Sequence, residues 1–337
     1  MSDPDAGFRA GRDADAEAII ALIGACWAEY PGVVLDVDGE EPELRTLASA
    51  FAAKGGMFWV AEGANGAIVG MAGVRPAPQG DLPDAWEIAR VYVDANQRGG
   101  GLAQTLMAKA EAHARATGAR HLVLHSDTRF LRAHRFYARL GYVRHGRIKV
   151  LNDRSMSMEF GYAKPVDGAW VLDAAAAAST VPGLAALIRA AAGEGVLFDL
   201  GPAATPAATE AKAELLARMV ASGTGALALG WRDGRLAGFT ALTLPAAATE
   251  AHRAGFGPVF VAPSARRQGL GRELAAAAIA AAEATGRQRL VATVPASTAA
   301  RGFAAVLGWR EAGRIDDYAR PDGAARAALI LVISTSP

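Results

Sequence analysis

Two stretches of this chain match each other landmark for landmark, so whatever architecture the first adopts, the second repeats. The segment Val93-Asp-Ala-Asn-Gln-Arg98-Gly-Gly-Gly101-Leu-Ala103-Gln-Thr-Leu106 finds its counterpart in Val261-Ala-Pro-Ser-Ala-Arg266-Arg-Gln-Gly269-Leu-Gly271-Arg-Glu-Leu274. Each is followed by an alanine-rich amphipathic run ending in Ala-Thr-Gly, at 116–118 and 284–286. A short apolar segment comes next, 121–125 in one copy and 289–293 in the other. A last pair closes the match: Arg135-Phe-Tyr137-Ala-Arg-Leu-Gly141-Tyr142 and Gly302-Phe-Ala304-Ala-Val-Leu-Gly308-Trp309. The chain reads as a tandem duplication, each copy about half of its 337 residues.

The join falls near Ala163-Lys-Pro-Val-Asp-Gly168, where Pro and Gly punctuate two strand-like stretches, giving domains over 1–163 and 169–337. Within each copy the patterning predicts a strand (8–10; 170–173), helices (15–30 and 42–53; 181–192 and 210–221) and two strands (57–62 and 67–74; 226–231 and 236–242). Asn65-Gly66 and Asp233-Gly234 supply tight-turn signals between those strands. Such mixed order predicts an α/β fold, a mixed sheet covered by helices, made twice. Hydrophobic residues make up 52% of the chain, enough for two sizeable cores and too many for a disordered chain. With 35 basic and 34 acidic residues, no global field favours nucleic acid or an anionic membrane. A single cysteine, Cys26, excludes an internal disulfide, and no metal-ligand pattern is present. The acidic N-terminus lacks the basic region of a signal peptide, and no apolar run reads as a spanning helix, so a cytoplasmic protein is expected.

The glycine-rich turns carry the chemistry. A strand running through glycines into a helix leaves the helix's first amides without partners, at the positive end of its dipole. Glycine lets a bulky anion approach that backbone. Leu102, Leu106 and Ala110 recur at helical spacing, as do Leu270, Leu274 and Ala278. Neither turn continues as the Gly-Lys-Ser/Thr of a phosphate-binding Walker loop. Neither completes the dinucleotide fingerprint G-x-G-x-x-G, since Gln104 and Leu274 stand at the third glycine. A turn that needs glycine for packing alone is the remaining alternative, and two copies with an Arg ahead of the glycines weigh against it.

Arg98-Gly-Gly-Gly101-Leu-Ala103 and Arg266-Arg-Gln-Gly269-Leu-Gly271 resemble the Arg-x-x-Gly-x-Gly/Ala acyl-CoA diphosphate motif of the GNAT superfamily of N-acetyltransferases. Phe136-Tyr137 followed by Gly141-Tyr142 is similar to the family's second signature. The resemblance covers the whole chain as two GNAT-like domains and implies acetyl-CoA as cofactor. It implies that Val91, Tyr92 and Val93 present backbone groups to the pantetheine arm, and that Arg98, Gly99, Gly100, Gly101, Leu102, Ala103 and Gln104 hold the diphosphate. The counterparts are Val261, Arg266, Arg267, Gln268, Gly269, Leu270, Gly271 and Arg272.

Direct transfer of acetyl from a thioester to an amine requires removing a proton from an alkylammonium and delivering one to the departing thiolate. By the resemblance, Tyr137 is the proton donor and Glu87 the proton acceptor, with His125 and Asp127 as rivals for the latter role. Where many relatives carry a CoA-contacting asparagine, this chain has Phe130. The second copy has Ala304, Gly255 and Ser297 in place of Tyr137, Glu87 and Phe130, leaving a complete turn without an evident proton donor. The first copy is therefore expected to carry most of the activity, the second being weakly active or a scaffold.

The acceptor reading is a small amine, amino acid or related metabolite. Asp36, Asp38, Glu40 and Glu41 form an acidic loop suited either to solvent or to a cationic amine, while Arg75 and Arg90 suit an acceptor's carboxylate. No basic patch is interleaved with stacking aromatics, so nucleic acid is not an expected partner. A monomer with internal pseudo-two-fold symmetry and a homodimer are both compatible with duplication. Two alternatives stand beside this: both copies active on different acceptors, or an acyl-CoA-binding sensor without catalysis.

Overall fold

The computed structural model describes residues 7–78, 80, 82–320 and 323–335, and its two halves share the succession of strand, helices, strands, long helix, strand, helix and closing strands. In the first half β1 (Phe8–Ala10) leads to α1 (Ala16–Trp27), a 3-10 turn over Pro42–Thr46 and α2 (Leu47–Ala53). Then come β2 (Met57–Glu62), β3 (Ile68–Pro76), β4 (Ala85–Val93), α3 (Leu102–Ala116) and β5 (His121–Asp127). The half closes with α4 (Leu131–Arg139), β6 (Val143–Arg144), β7 (Lys149–Val150) and β8 (Met158–Pro165). The second half begins β9 (Gly168–Val171), α5 (Ala174–Ser179), α6 (Val181–Gly193) and α7 (Pro206–Ala221). It continues with β10 (Gly225–Arg232), β11 (Arg235–Thr243), β12 (Arg253–Phe256), β13 (Phe260–Val261) and α8 (Leu270–Ala284). β14 (Arg289–Pro295), α9 (Thr298–Val306), β15 (Arg310–Ala319) and β16 (Arg326–Ser334) complete it. No helix among the described residues is long and apolar enough to cross a membrane.

By packing, the chain divides into two compact units whose boundary is not the sequence repeat. The first takes in the described residues up to His134 together with His145–Val166; the second takes in Arg135–Arg144 and the described residues from Asp167 onward. In the first unit the strands run β1-β2-β3-β4-β5-β8, with β7 also on β8. In the second they run β15-β16-β14-β12-β11-β10-β9, with β13 also on β11. Each sheet is mixed: β4–β5 and β12–β14 are parallel, whereas the neighbouring ladders β3–β4 and β5–β8, β11–β12 and β14–β16 are antiparallel.

Both sheets are sandwiched, because adjacent residues of a strand face opposite sides. Met71 packs with Ile19 and Ile23 of α1 and Leu47 and Phe51 of α2, whereas Ala72 packs with Leu106 of α3. Leu227 and Leu229 pack with Leu184 and Ile188 of α6 and Leu216 of α7, whereas Ala228 packs with Leu270 and Leu274 of α8. Glycine sets the fit of α2 on its sheet. A Cβ at Gly73 would lie 2.4 Å from the Phe51 ring, and that ring in turn supports the Arg75 guanidinium at 5.3 Å from its centroid. Gly73→Ala is expected to lower stability by about 1–3 kcal/mol through overpacking. The check is a reduced urea midpoint at constant slope; an unchanged midpoint would show that Phe51 can move aside freely.

Two helices and one strand depart from the boundaries expected from sequence. The 42–53 helix is a 3-10 turn followed by α2, with Thr46 at φ −135 between them. The strand expected over 170–173 is β9, which ends at Val171 because Asp173 instead caps α5, accepting from the Ala176 amide at 2.8 Å. The helix expected from 210 begins at Pro206, capped by Thr205. Thr-Pro at a cap and first turn is a readable start signal that the apolar spacing alone passes over.

Candidate functional site

A parallel pair that comes apart makes a slot. β4 pairs with β5 only through Ala85, Trp86 and Glu87, opposite His121, Leu122 and Val123. Beyond Glu87 the strand follows β3 alone, through a register shift between Met71 and Gly73 and with Arg90 at φ 57. A non-glycine residue in the left-handed region costs on the order of 1 kcal/mol or more, a strain found where a strand is re-aimed for function. The backbone around Val91, Tyr92 and Val93 thus has a ladder partner on one side only, as an extended amide-bearing chain would need. The second unit does the same by a different device. β12 pairs with β14 up to Phe256 and Ala292, Gly257-Pro258 interrupts it, and β13 continues on β11 alone.

Each slot ends on its glycine turn. Gly99 and Gly101 have φ 86 and 88; Arg267 and Gly269 have φ 63 and 88. Gly101 and Gly269 occupy the N-cap positions of α3 and α8, and neither helix has a side-chain cap. The first amides to find a helical carbonyl are Thr105, on Gly101 at 3.0 Å, and Arg272, on Gly269 at 2.9 Å. Among the described residues the amides of 99–104 and 267–271 donate to no protein acceptor. The space is open as well: nothing lies within 4 Å of a Cβ built on Gly99, and only the Gln104 side chain does at Gly101. A row of unsatisfied donors at the positive end of a 15-residue helix fits a diphosphate.

The arginine preceding each turn is otherwise engaged. Arg98 places Nη1 and Nη2 on Glu29 at 2.7 and 2.6 Å, with Nε on the Val93 carbonyl at 3.2 Å. Arg266 repeats this with Nε on the Val261 carbonyl at 2.9 Å and Nη2 on Glu194. The Arg98 hydrogen bond holds the Glu29 carboxyl below its ordinary value. These guanidinium groups therefore shape the loop and tie it to the residues just after α1 and α6. Sequence reading passed over both glutamates, although each follows the first long helix of its copy.

On the first unit's slot, Glu87 and His125 meet. His125 Nδ1 is 3.3 Å from Glu87 Oε1, and Arg75 Nη2 is 3.0 Å from Oε2. Burial pushes the Glu87 carboxyl up, but the His125 hydrogen bond and the Arg75 charge outweigh it and hold the group below its ordinary value. An ionised carboxylate only accepts, so Nδ1 carries the hydrogen and Nε2 of a neutral ring presents its lone pair. Asp127 is spent differently. Arg129 grips it through Nε at 2.9 Å and Nη2 at 2.6 Å, and the same arginine reaches Ser157 Oγ at 2.9 Å. Burial raises the Asp127 carboxyl and these bonds more than offset that, leaving it ionised and engaged.

Tyr137 lies on α4, 7% exposed, with Phe136 and Tyr142 as ring neighbours at 5.6 and 6.2 Å between centroids. Its segment, Arg135–Arg144, is part of the second unit. Tyr92 accepts from Trp27 Nε1 at 2.9 Å, and burial raises its phenol. The acidic loop is paired internally: Asp36 with Arg154, Asp38 with Arg45, Glu40 with the Arg154 amide and Glu41 with Arg90. Arg75 and Arg90, read as carboxylate grips, already hold Glu87 and Glu41. In the second unit Gly255 and Ala304 bring no proton-transfer group, and Ser297 caps α9, its Oγ accepting from the Ala300 amide at 3.1 Å. No cluster of three or more metal-ligating side chains occurs among the described residues.

The profile of the acetyltransferase (GNAT) family matches residues 20–142 and again 199–309. No curated protein matches the chain. Among solved structures the chain is similar to a GNAT-family acetyltransferase from Staphylococcus aureus Mu50, at 18% identity over 47% of this chain and 97% of that one, TM-score 0.41. It is similar to a ribosomal-protein-alanine N-acetyltransferase from Brucella melitensis, at 23% over 47% and 98%, TM-score 0.37. A phosphinothricin acetyltransferase from Sinorhizobium meliloti, solved with acetyl-CoA, matches at 17% over 47% and 86%, TM-score 0.39.

Proposed function

The chain belongs to the GNAT acetyltransferase family, an N-acetyltransferase with acetyl-CoA as donor, and from that premise we propose that its first copy acetylates a small amine, amino acid or related metabolite by direct transfer. The observation that carries this reading is the Glu87–His125 pair at the root of the slot, with no counterpart in the second copy.

When bound, acetyl-CoA supplies the thioester that the amine attacks. The amides of 99–104 would hold its diphosphate, and the half-paired backbone of Val91, Tyr92 and Val93 would orient the arm. His125 Nε2 takes the proton from the incoming ammonium, and Glu87 stabilises the imidazolium that results. Tyr137 would deliver a proton to the departing sulfur and recover one from the nitrogen as the amide forms, so that His125 and Tyr137 together account for both protons the ammonium loses. Glu87 acts as the orienting carboxylate more than as the base itself, because Arg75 and His125 already stabilise its charge. A second reading is supported by the open amides of 267–271 and by Arg267: the second copy holds acyl-CoA without transferring from it.

Calorimetric titration with acetyl-CoA followed by a thiol-release screen across amines tests both readings. Two equivalents bound, with turnover abolished by changes in the first copy alone, are expected. Saturable binding with no release from any amine would overturn catalysis in favour of the sensor.

A further inference from the structure

The segment that carries Tyr137 belongs by sequence to the first copy and by packing to the second unit. Several contacts inside that unit hold it. Trp231, fully buried near the end of β10, donates Nε1–H to the Gly141 carbonyl at 2.9 Å. Gly141 has φ 84, and a Cβ there would lie 3.0 Å from Leu236 Cβ and 3.2 Å from Trp231 Nε1, so the turn is closed on both conformation and space. The Arg144 amide donates to Ser179 Oγ at 2.8 Å, and Val143 joins the core of Leu184, Ile188 and Trp231. The turn in turn fixes Tyr137, whose carbonyl accepts from the Leu140 and Tyr142 amides at 3.0 and 3.1 Å. The matching turn of the second copy lacks this clamp: Gly308 has φ 77, and nothing lies within 4 Å of a Cβ built on it.

We propose that Trp231 is a positioning residue for the transfer reaction, its indole N–H holding the Gly141 turn and thereby the placement of Tyr137. The inference rests on the proton-donor role proposed for Tyr137. A buried hydrogen bond to a backbone carbonyl is directional, and small misplacement of a reacting group is costly in rate.

The test is a double-mutant cycle on the full chain with Trp231→Phe and Tyr137→Phe. Phenylalanine keeps an aromatic ring and removes the donor. Trp231→Phe alone is expected to lower kcat about tenfold with KM for acetyl-CoA and amine little changed. In the Tyr137→Phe background the same substitution is expected to have no further effect on kcat. Should Trp231→Phe not fold, Ser179→Ala loosens the same segment at Arg144 and is expected to give a smaller loss with the same dependence on Tyr137. If Tyr137→Phe itself leaves kcat unchanged, the proton-donor reading fails and this inference with it. If Tyr137→Phe lowers kcat but the clamp variants do not, or lower it equally in both backgrounds, the positioning role is overturned and the donor reading stands.

Discussion

Replacing His125 with glutamine is expected to lower kcat/KM for the amine about 10²–10⁴-fold near neutral pH and to leave acetyl-CoA affinity intact. The side chain is partly exposed, 39% by its own area, so the substitution removes no core packing. What it removes is the ring nitrogen opposite Nδ1, which has the Glu87 carboxylate behind it. Glu87→Gln tests the other half of the pair. A carboxamide cannot stabilise an imidazolium as a carboxylate does, so this variant should also lose kcat, by a smaller factor than His125→Gln. Because the His125 hydrogen bond and the Arg75 charge hold the Glu87 carboxyl below its ordinary value, it stays ionised through the assay range. Thiol release across pH, paired with calorimetry on the same variants, separates rate from binding. Turnover that survives His125→Gln would move the proton acceptor elsewhere, to Glu87 through water.

Gly101→Glu should have the larger effect on binding. The position has φ 88, where an L-residue costs roughly 1–2 kcal/mol. Its Cβ meets nothing nearer than Gln104 Oε1 at 3.6 Å, so the loop can accept the side chain and the unit should still fold. The new carboxylate then stands among the open amides with the sign of the diphosphate it displaces. Acetyl-CoA affinity at the first copy is expected to fall by about a hundredfold or more, the loss of several charge-assisted hydrogen bonds. Amine turnover is expected to fall with it. Gly269→Glu, at the same φ in the second copy, should leave that turnover close to the parent's. The reverse pattern would place the chemistry in the second copy, against the absence there of groups equivalent to Glu87 and Tyr137.

The duplication, the mixed helix-covered sheets and the two glycine turns are legible in the residues, because each depends on local pattern. Gly101 and Gly269 must reach the left-handed region, and the spacing of Leu102, Leu106 and Ala110 leaves little choice but a helix. The slot is less legible. Its opening depends on Arg90 taking φ 57 and on a register shift against β3, which no residue type at those positions announces. Glu87 and His125 stand far apart in the chain and meet only because β4 and β5 are parallel in one particular register. The engagement of Arg98 by Glu29 and of Arg266 by Glu194 is not legible, because the glutamates stand 69 and 72 residues before their arginines, out of register with the matched landmarks. Nor is the seat of Tyr137, because Arg135–Arg144 matches its own copy by sequence and packs by shape around Trp231.

Amide hydrogen exchange with and without coenzyme A reads the backbone donors themselves. Saturating coenzyme A is expected to slow exchange at the amides of 99–104, which now donate to no protein acceptor, well beyond any change in the hairpin of β2 and β3. Exchange at those amides that stays unchanged while the ligand is demonstrably bound would contradict a diphosphate held at the start of α3.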